Sequence, residues 1–504
     1  MKNKKFRISY IILGLVVLLA AVLFSGVHFL NLEYKIEFDE LLYTLISPMD
    51  GANTSIVSSV ILFALPYIIG AIVAYIVLVI ALRWVEKRVS SEIILKIKNK
   101  EFRINIYSFV LKLVVVVALA CACGYANNSL DITGYIYNYM HPTTLYEDYY
   151  VNPQDVSIEG ENTKNVIFIY LESLETTYAD TQSGGYEEDN YISNLTSYAK
   201  KYISFSNSTK LGGFHNTQGT TWTMGSLFAQ TAGIPYSFPV DRNEMSKYTS
   251  FASGVTNLGD ILEEKGYTQE FLCGSNGEFA GRKTYFEQHG NYKVYDLYTA
   301  IDDGYMTEDD IVWWGFDDEL LFKIAKDEIT SLASQDQPFN FSMLTVDTHY
   351  PSGYVCDLCS DVYENQTANV VACTDTQVSA FIKWCQRQSW YKDTTIILTG
   401  DHPRMDKETI PDGLEKYDRT MYNCFINTVY DGDKKKLNLE NREYTPMDIL
   451  PTTLSAMGFE VEGHRLGLGT DLFSSSKTLC EELTFEVLND EIAGYSKYYT
   501  KNFA

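Results

Sequence analysis

The sequence predicts an α/β protein in which three membrane-spanning helices precede a mixed, mostly parallel sheet covered by helices on both faces. Three observations predict it. Residues 165–170 and 394–399 are short, continuously apolar, β-rich runs, as suits strands buried on both sides. From residue 162 onward strand-like and helical segments alternate, the pattern of a parallel layer. Ahead of them lie three apolar stretches, 8–30, 56–82 and 106–126, each meeting the roughly 20 residues that a bilayer-crossing helix needs.

The first stretch is too long for a signal-peptide core and lacks a small-residue cleavage pattern, so it reads as a retained anchor. Pro66 and Gly70 in the second are tolerable where neighbouring helices re-satisfy the backbone. Lys112, near the start of the third, reads as a snorkelling side chain. Lys2, Lys4, Lys5 and Arg7 precede the first span, and Arg83, Lys87, Arg88, Lys96, Lys98, Lys100 and Arg103 separate the second from the third. The loop 31–55 carries only Lys35 among five acidic residues. The positive-inside rule then puts the N-terminus in the cytoplasm and everything after residue 126 outside it.

Residues 1–126 hold 13 Lys and Arg against 8 Asp and Glu, whereas the remainder holds 27 against 57. So acidic an outer part excludes nucleic-acid binding through a phosphate-neutralising surface. Residues 127–161, rich in Tyr, Asn and Asp and without periodicity, read as a juxtamembrane connector; 162–475 form the catalytic domain and 476–504 a tail. Further strands are expected at 267–273, 339–346 and 422–429, and helices at 260–265, 317–334 and 369–388. In the last helix Val371, Val378, Phe381, Ile382 and Cys385 share one face.

Nine cysteines divide unevenly. Cys121 and Cys123 fall in the third span, Cys273, Cys424 and Cys480 are scattered, and Cys356, Cys359, Cys373 and Cys385 cluster. Cys356 and Cys359 have zinc-like spacing, but no second close pair follows, so a disulfide from Cys356 or Cys359 to Cys373 is the expectation outside the cytoplasm.

Three distant strings carry the chemistry. Leu171-Glu172-Ser173 and Thr399-Gly400-Asp401-His402-Pro403 each follow a buried strand, where open α/β sheets place their ligands. Thr221-Trp222-Thr223-Met224-Gly225-Ser226 opens a short apolar segment, so its threonines can stand at a helix N-terminus on the same rim. Each has a bland reading: Glu172 and Thr223 as helix caps, Asp401 and His402 as a pair. Together, oxygen ligands, one imidazole and an activatable hydroxyl describe a single-metal phosphoryl-transfer site.

In this order, Glu then Thr then Asp-His, the strings resemble the alkaline phosphatase (sulfatase-like) superfamily, specifically its membrane-bound phosphoglycerol transferases and lipoteichoic acid synthases. Gly219-Thr220-Thr221-Trp222-Thr223, Ala232-Gly233-Ile234-Pro235, Thr345 to Pro351 and Arg465 to Gly469 add to the resemblance, which covers roughly residues 162–475. It implies a sulfatase-like sheet, with Glu172, Thr223, Asp401 and His402 as ligands to one divalent metal and Thr223 as the nucleophile. It also implies that His349 contacts phosphate and that Arg282 grips the headgroup, although the aromatic two positions before that arginine is here Ala280. Oxygen-dominated ligands suit Mn²⁺ or Mg²⁺. No Cys stands at the nucleophile position, so formylglycine chemistry is not expected.

The implied reaction moves phosphoglycerol from phosphatidylglycerol to an extracytoplasmic glycan, glycolipid or polyglycerol-phosphate acceptor through a phosphothreonine-type intermediate. Alternatives are phosphoethanolamine transfer, phosphodiester hydrolysis on the same scaffold, or an inactive polymer-binding membrane protein. Acceptor and oligomeric state stay open.

Overall fold

The computed structural model describes residues 2–33, 38, 41–42, 54–89, 92–97, 100–237, 251–405 and 414–503, so most of the acidic loop 31–55 falls outside the described residues. The chain divides into two units, one formed by residues 1–38 with 53–136 and the other by 137–504 with 39–52.

In the first unit, helices α1 (Lys2–Glu33), α2 (Thr54–Arg88) and α3 (Ile106–Leu130) are long and apolar enough to cross a membrane. Their large apolar side chains stay exposed, Ile61, Leu62 and Ile80 among them, as helices solvated by lipid require. Polar groups within the unit pair with one another: Tyr75 donates to the Tyr10 carbonyl at 2.6 Å, and the His28 ring meets the Tyr125 hydroxyl at 2.9 Å. A hairpin of β1 (Glu92–Ile97) and β2 (Lys100–Asn105) lies between α2 and α3. Asn105 caps α3 by accepting from the Ser108 amide.

The region expected to be an irregular connector is partly helical. After α3 ends at a left-handed Asp131, a helix runs over Ile132–Met140 and another over Leu145–Tyr149. The first of these buries none of its residues, although Ile132, Tyr135, Ile136, Tyr139 and Met140 share one face.

The second unit is built on a six-stranded sheet. Its elements, in chain order, begin with β3 (Asn165–Leu171), α4 (Ser193–Lys201), α5 (Thr223–Ala232), α6 (Leu258–Glu264) and β4 (Thr268–Cys273). Next come α7 (Arg282–Gln288), β5 (Lys293–Tyr295), α8 (Asp318–Leu332) and β6 (Phe339–Leu344). The series ends with α9 (Gln366–Cys385), β7 (Thr394–Gly400), β8 (Asn423–Ile426) and α10 (Ile449–Met457). The sheet order is β5-β4-β6-β3-β7-β8, and every pair is parallel except β7 with β8.

Strand β3 shows why its run is continuously apolar. Val166, Phe168 and Tyr170 pack into one core with residues of α5, α6 and α10. Ile167, Ile169 and Leu171 pack into the other, with α4, α8 and α9. All six are fully buried, as a sheet covered on both faces demands. The predicted α9 face is buried in this second core. Sequence patterning missed β5, because three residues are too few to display a period.

Candidate active site

The register of β3 with β7 assembles the site. Leu171 lies opposite Gly400, so the residues that follow them, Glu172 and Asp401, leave neighbouring strands side by side at the carboxyl rim. A Cβ on Gly400 would stand 2.0 Å from the Leu174 carbonyl oxygen, so only glycine fits where the two chains turn together. β6 adds Thr345, whose hydroxyl accepts from the Glu172 amide at 3.0 Å.

Helix α5 brings the hydroxyl. Thr223 is its first residue, and its Oγ1 donates to Glu172 Oε2 at 3.2 Å and lies 3.2 Å from His402 Nε2. The same helix is pinned to the rim by Ser226, which donates to the Asp401 carbonyl at 2.6 Å, and by Gln230, which accepts from Thr399 Oγ1 at 2.7 Å. Asn216 braces the turn before it by donating to the carbonyls of Thr220 and Asp401.

Each of the acidic and imidazole side chains has one atom tied down and another turned inward. Asp401 Oδ1 accepts from the Ser173 and His402 amides, both at 2.8 Å, while its buried Oδ2 has no hydrogen bond. The closest cation-forming group to that oxygen is His402 Nε2, at 3.6 Å. His402 Nδ1 lies 3.0 Å from the Pro403 carbonyl and so donates to it, leaving Nε2 to face the cluster, 3.3 Å from Glu172 Oε1.

Glu172, Asp401 and His402 thus offer donor atoms within 4.8 Å of one another, all from buried residues. An unbonded buried carboxylate oxygen facing a second carboxylate and an imidazole is costly unless positive charge lies between them. The donor set fits a divalent cation.

Electrostatics point the same way. Burial, then the Glu172 charge, pushes Asp401 up to about 7. Against burial, Asp401 and Glu172 raise His402 to about 10. Burial also acts to raise Glu172, but His349 and His402 outweigh it and hold the carboxyl at about 2. The cluster draws positive charge, as proton or as metal.

A small cavity of about 40 Å³ adjoins this cluster. Glu172, Thr223, Arg282 and His349 line it together, with Met224, Phe279, Ala280, Trp314 and Leu344 supplying an apolar wall. Arg282, 6% exposed, is held by Ser275 Oγ at 2.8 Å and the carbonyls of Asn276 and Phe279. His349 lies 2.8 Å from the Tyr350 carbonyl through Nδ1, and burial lowers its pKa against the opposing charge of Glu172.

All six sequence-nominated residues therefore meet at one rim. Sequence reasoning missed Trp314, whose ring lies 4.7 Å from His349 and 5.4 Å from Phe279 and walls the cavity beside Ala280. The Trp313-Trp314-Gly315 string was the available signal. It also missed Asn216 and the buried carboxylate Glu175, which accepts from Arg419 Nε at 2.7 Å and the Arg404 amide at 2.8 Å.

The sulfatase family profile matches residues 164–459. Phosphoglycerol transferase I of Escherichia coli (strain 55989 / EAEC) is 31% identical over 319 residues, which are 62% of this chain and 39% of that protein. The Salmonella arizonae protein of the same name is 30% identical over the same length. The chain thus spans about two fifths of the length of these curated relatives. Among solved structures, the lipooligosaccharide phosphoethanolamine transferase A (EptA) of Neisseria meningitidis superposes with a TM-score of 0.53 at 15% identity, covering 89% of this chain and 84% of that one. The lipoteichoic acid synthase LtaP of Listeria monocytogenes gives 0.49 at 15% identity, covering 70% and 95%. With more than half its length matched to the family and its acidic, imidazole and hydroxyl groups set on one sheet rim, the chain belongs to the sulfatase family.

Proposed function

We propose that this membrane protein transfers phosphoglycerol from phosphatidylglycerol to a glycan, glycolipid or polyglycerol-phosphate acceptor outside the cytoplasm. One observation carries the reading: the Thr223 hydroxyl sits at a helix N-terminus, 3.2 Å from both Glu172 and His402, in a cavity shared with Arg282 and His349. The names of the Escherichia coli and Salmonella relatives support the phosphoglycerol class.

Glu172, Asp401, His402 and Thr223 would hold Mn²⁺ or Mg²⁺. That ion supplies Lewis-acid polarisation of a phosphoryl oxygen and lowers the pKa of a bound hydroxyl. Thr223 Oγ1 bonds to phosphorus as the bond from phosphorus to the diacylglycerol oxygen breaks, and the threonine proton ends on diacylglycerol. An acceptor hydroxyl then displaces Thr223, and its proton returns to the threonine. His349 contacts the phosphoryl oxygens through Nε2, since Nδ1 is committed to Tyr350. Arg282 and the N-terminus of α5 balance charge on the phosphoryl oxygens, where such sites gain most. Trp314 and Phe279 exclude water beside the glycerol.

Incubating the detergent-solubilised protein with headgroup-labelled phosphatidylglycerol and an acceptor tests this. Label should reach the acceptor as diacylglycerol appears. Label released only as free glycerol phosphate would make the protein a hydrolase. Transfer from phosphatidylethanolamine alone would assign the ethanolamine class.

A further inference from the structure

Four side chains that take no part in the Thr223 cavity lie together behind the loop that carries His349. Cys356 and Cys359 form a turn in which the Cys359 amide donates to the Cys356 carbonyl at 3.1 Å. Cys373 projects from α9, and one helical turn later so does Gln377. Cys356 Sγ is 3.6 Å from Cys359 Sγ and 3.7 Å from Cys373 Sγ, and all three sulfurs lie within 4.8 Å of one another. The Gln377 amide stands 3.5 Å from Cys373 Sγ and 3.7 Å from Cys356 Sγ.

These distances decide between two chemistries. A disulfide draws two sulfurs to about 2.05 Å and leaves the third outside. Tetrahedral zinc with sulfur at about 2.3 Å sets its sulfurs about 3.8 Å apart, along the edges of the tetrahedron. The separations of Cys356 from Cys359 and from Cys373 match the second pattern, and the Gln377 amide lies beside Cys373 and Cys356 at 3.5 and 3.7 Å, within reach of an ion held by the three sulfurs. The amide oxygen and nitrogen exchange by a simple flip, so Oε1 can face the centre.

We infer that Cys356, Cys359, Cys373 and Gln377 form a structural site for a thiolate-preferring divalent cation, Zn²⁺, separate from the Glu172 cluster. Binding releases the three thiol protons to solvent, and three thiolates with a neutral amide leave the complex with one net negative charge. Thiolate ligands select zinc over the manganese or magnesium suited to the oxygen-rich rim. Cys356 and Cys373 are buried, which shields the sulfurs from oxidants. The ion would clamp the loop after β6 onto α9. That loop carries His349 and turns back where the Tyr354 amide donates to the Asp347 carbonyl at 2.7 Å. The site therefore braces the segment that presents His349 to the cavity.

The test measures metal in the full-length protein purified in detergent without added reductant. The parent should carry one zinc per chain that Asp401→Asn retains and Cys373→Ser loses. Cobalt exchanged into the parent should give thiolate-to-metal absorption in the near ultraviolet that Asp401→Asn also retains. The cobalt spectrum of the parent decides the matter even if Cys373→Ser does not fold. Zinc lost in Asp401→Asn but kept in Cys373→Ser, a cobalt form lacking the thiolate band, or a disulfide between any two of these cysteines in the isolated protein would each overturn the site.

Discussion

Three neighbouring threonines separate by where their hydroxyls go. Thr220 Oγ1 is locked into its own turn, donating to the Thr217 carbonyl at 2.8 Å and accepting from the Thr217 amide at 2.9 Å. Thr221 Oγ1 is buried without a hydrogen bond, and only Thr223 reaches Glu172 and His402. Thr223→Ala should therefore abolish both diacylglycerol release and acceptor labelling. Thr220→Ala should keep turnover within about a decade while costing about 1 kcal/mol of stability, the usual worth of one hydrogen bond. Mass spectrometry of acid-quenched protein without acceptor should find a glycerophosphoryl adduct on the Thr223 peptide. An adduct on Thr221, with Thr223→Ala still active, would move the nucleophile. Asp401→Asn keeps the size of the side chain and removes charge from Oδ2, so metal content at the rim and activity should fall together. Full activity with undiminished metal would reduce Asp401 to a structural acceptor for the Ser173 and His402 amides.

The elements that position these residues were unequally legible in the sequence. β3 and β7 stand out because both faces of each are buried, which forces an unbroken apolar run. The meeting of Glu172 and Asp401 follows directly, since whatever leaves two adjacent parallel strands at the same level must meet. Ser226 and Asn216 were harder to place because they act on a backbone carbonyl, and no spacing encodes that. Trp314 reaches the cavity from a loop, where periodicity says nothing.

The edge of the sheet carries a prediction of its own. Burial, then the charge of Glu328, pushes Glu270 of β4 up to about 8, although Lys293 Nζ lies 3.5 Å from it. Its folded pKa thus exceeds the unfolded value, so the stabilising form is the protonated one. Stability from this group is full below the unfolded carboxylate pKa and declines as pH rises through about 8. Unfolding midpoints measured across that window should fall for the parent and stay flatter for Glu270→Gln, with a difference of a few kcal/mol, on the order of 1.4 per pKa unit. Parallel curves for the two proteins would show that Glu270 is ionised throughout.

For the whole molecule the sequence is most informative about orientation. Eleven basic residues lie before the first span or between the second and third, whereas the part after residue 126 is strongly acidic. Residues 475–504 should therefore be open to protease or to an impermeant label from outside intact cells. Protection of that tail until lysis would reverse the topology and remove access to a lipid donor in the outer leaflet.

The strand order has a consequence for how the chain is made. β3 is the first strand of the sheet to be synthesised, yet its two partners, β6 and β7, begin at residues 339 and 394. Closing such long loops is slow, because their entropy is lost before any contact rewards it. Until then the most apolar strand of the domain has both edges unpaired, a template for any other extended chain. Nascent or truncated products ending before residue 394 keep one edge of β3 open and should aggregate. Glu172 and Asp401 meet only when that gap closes, so the candidate rim site cannot exist before β7 is made.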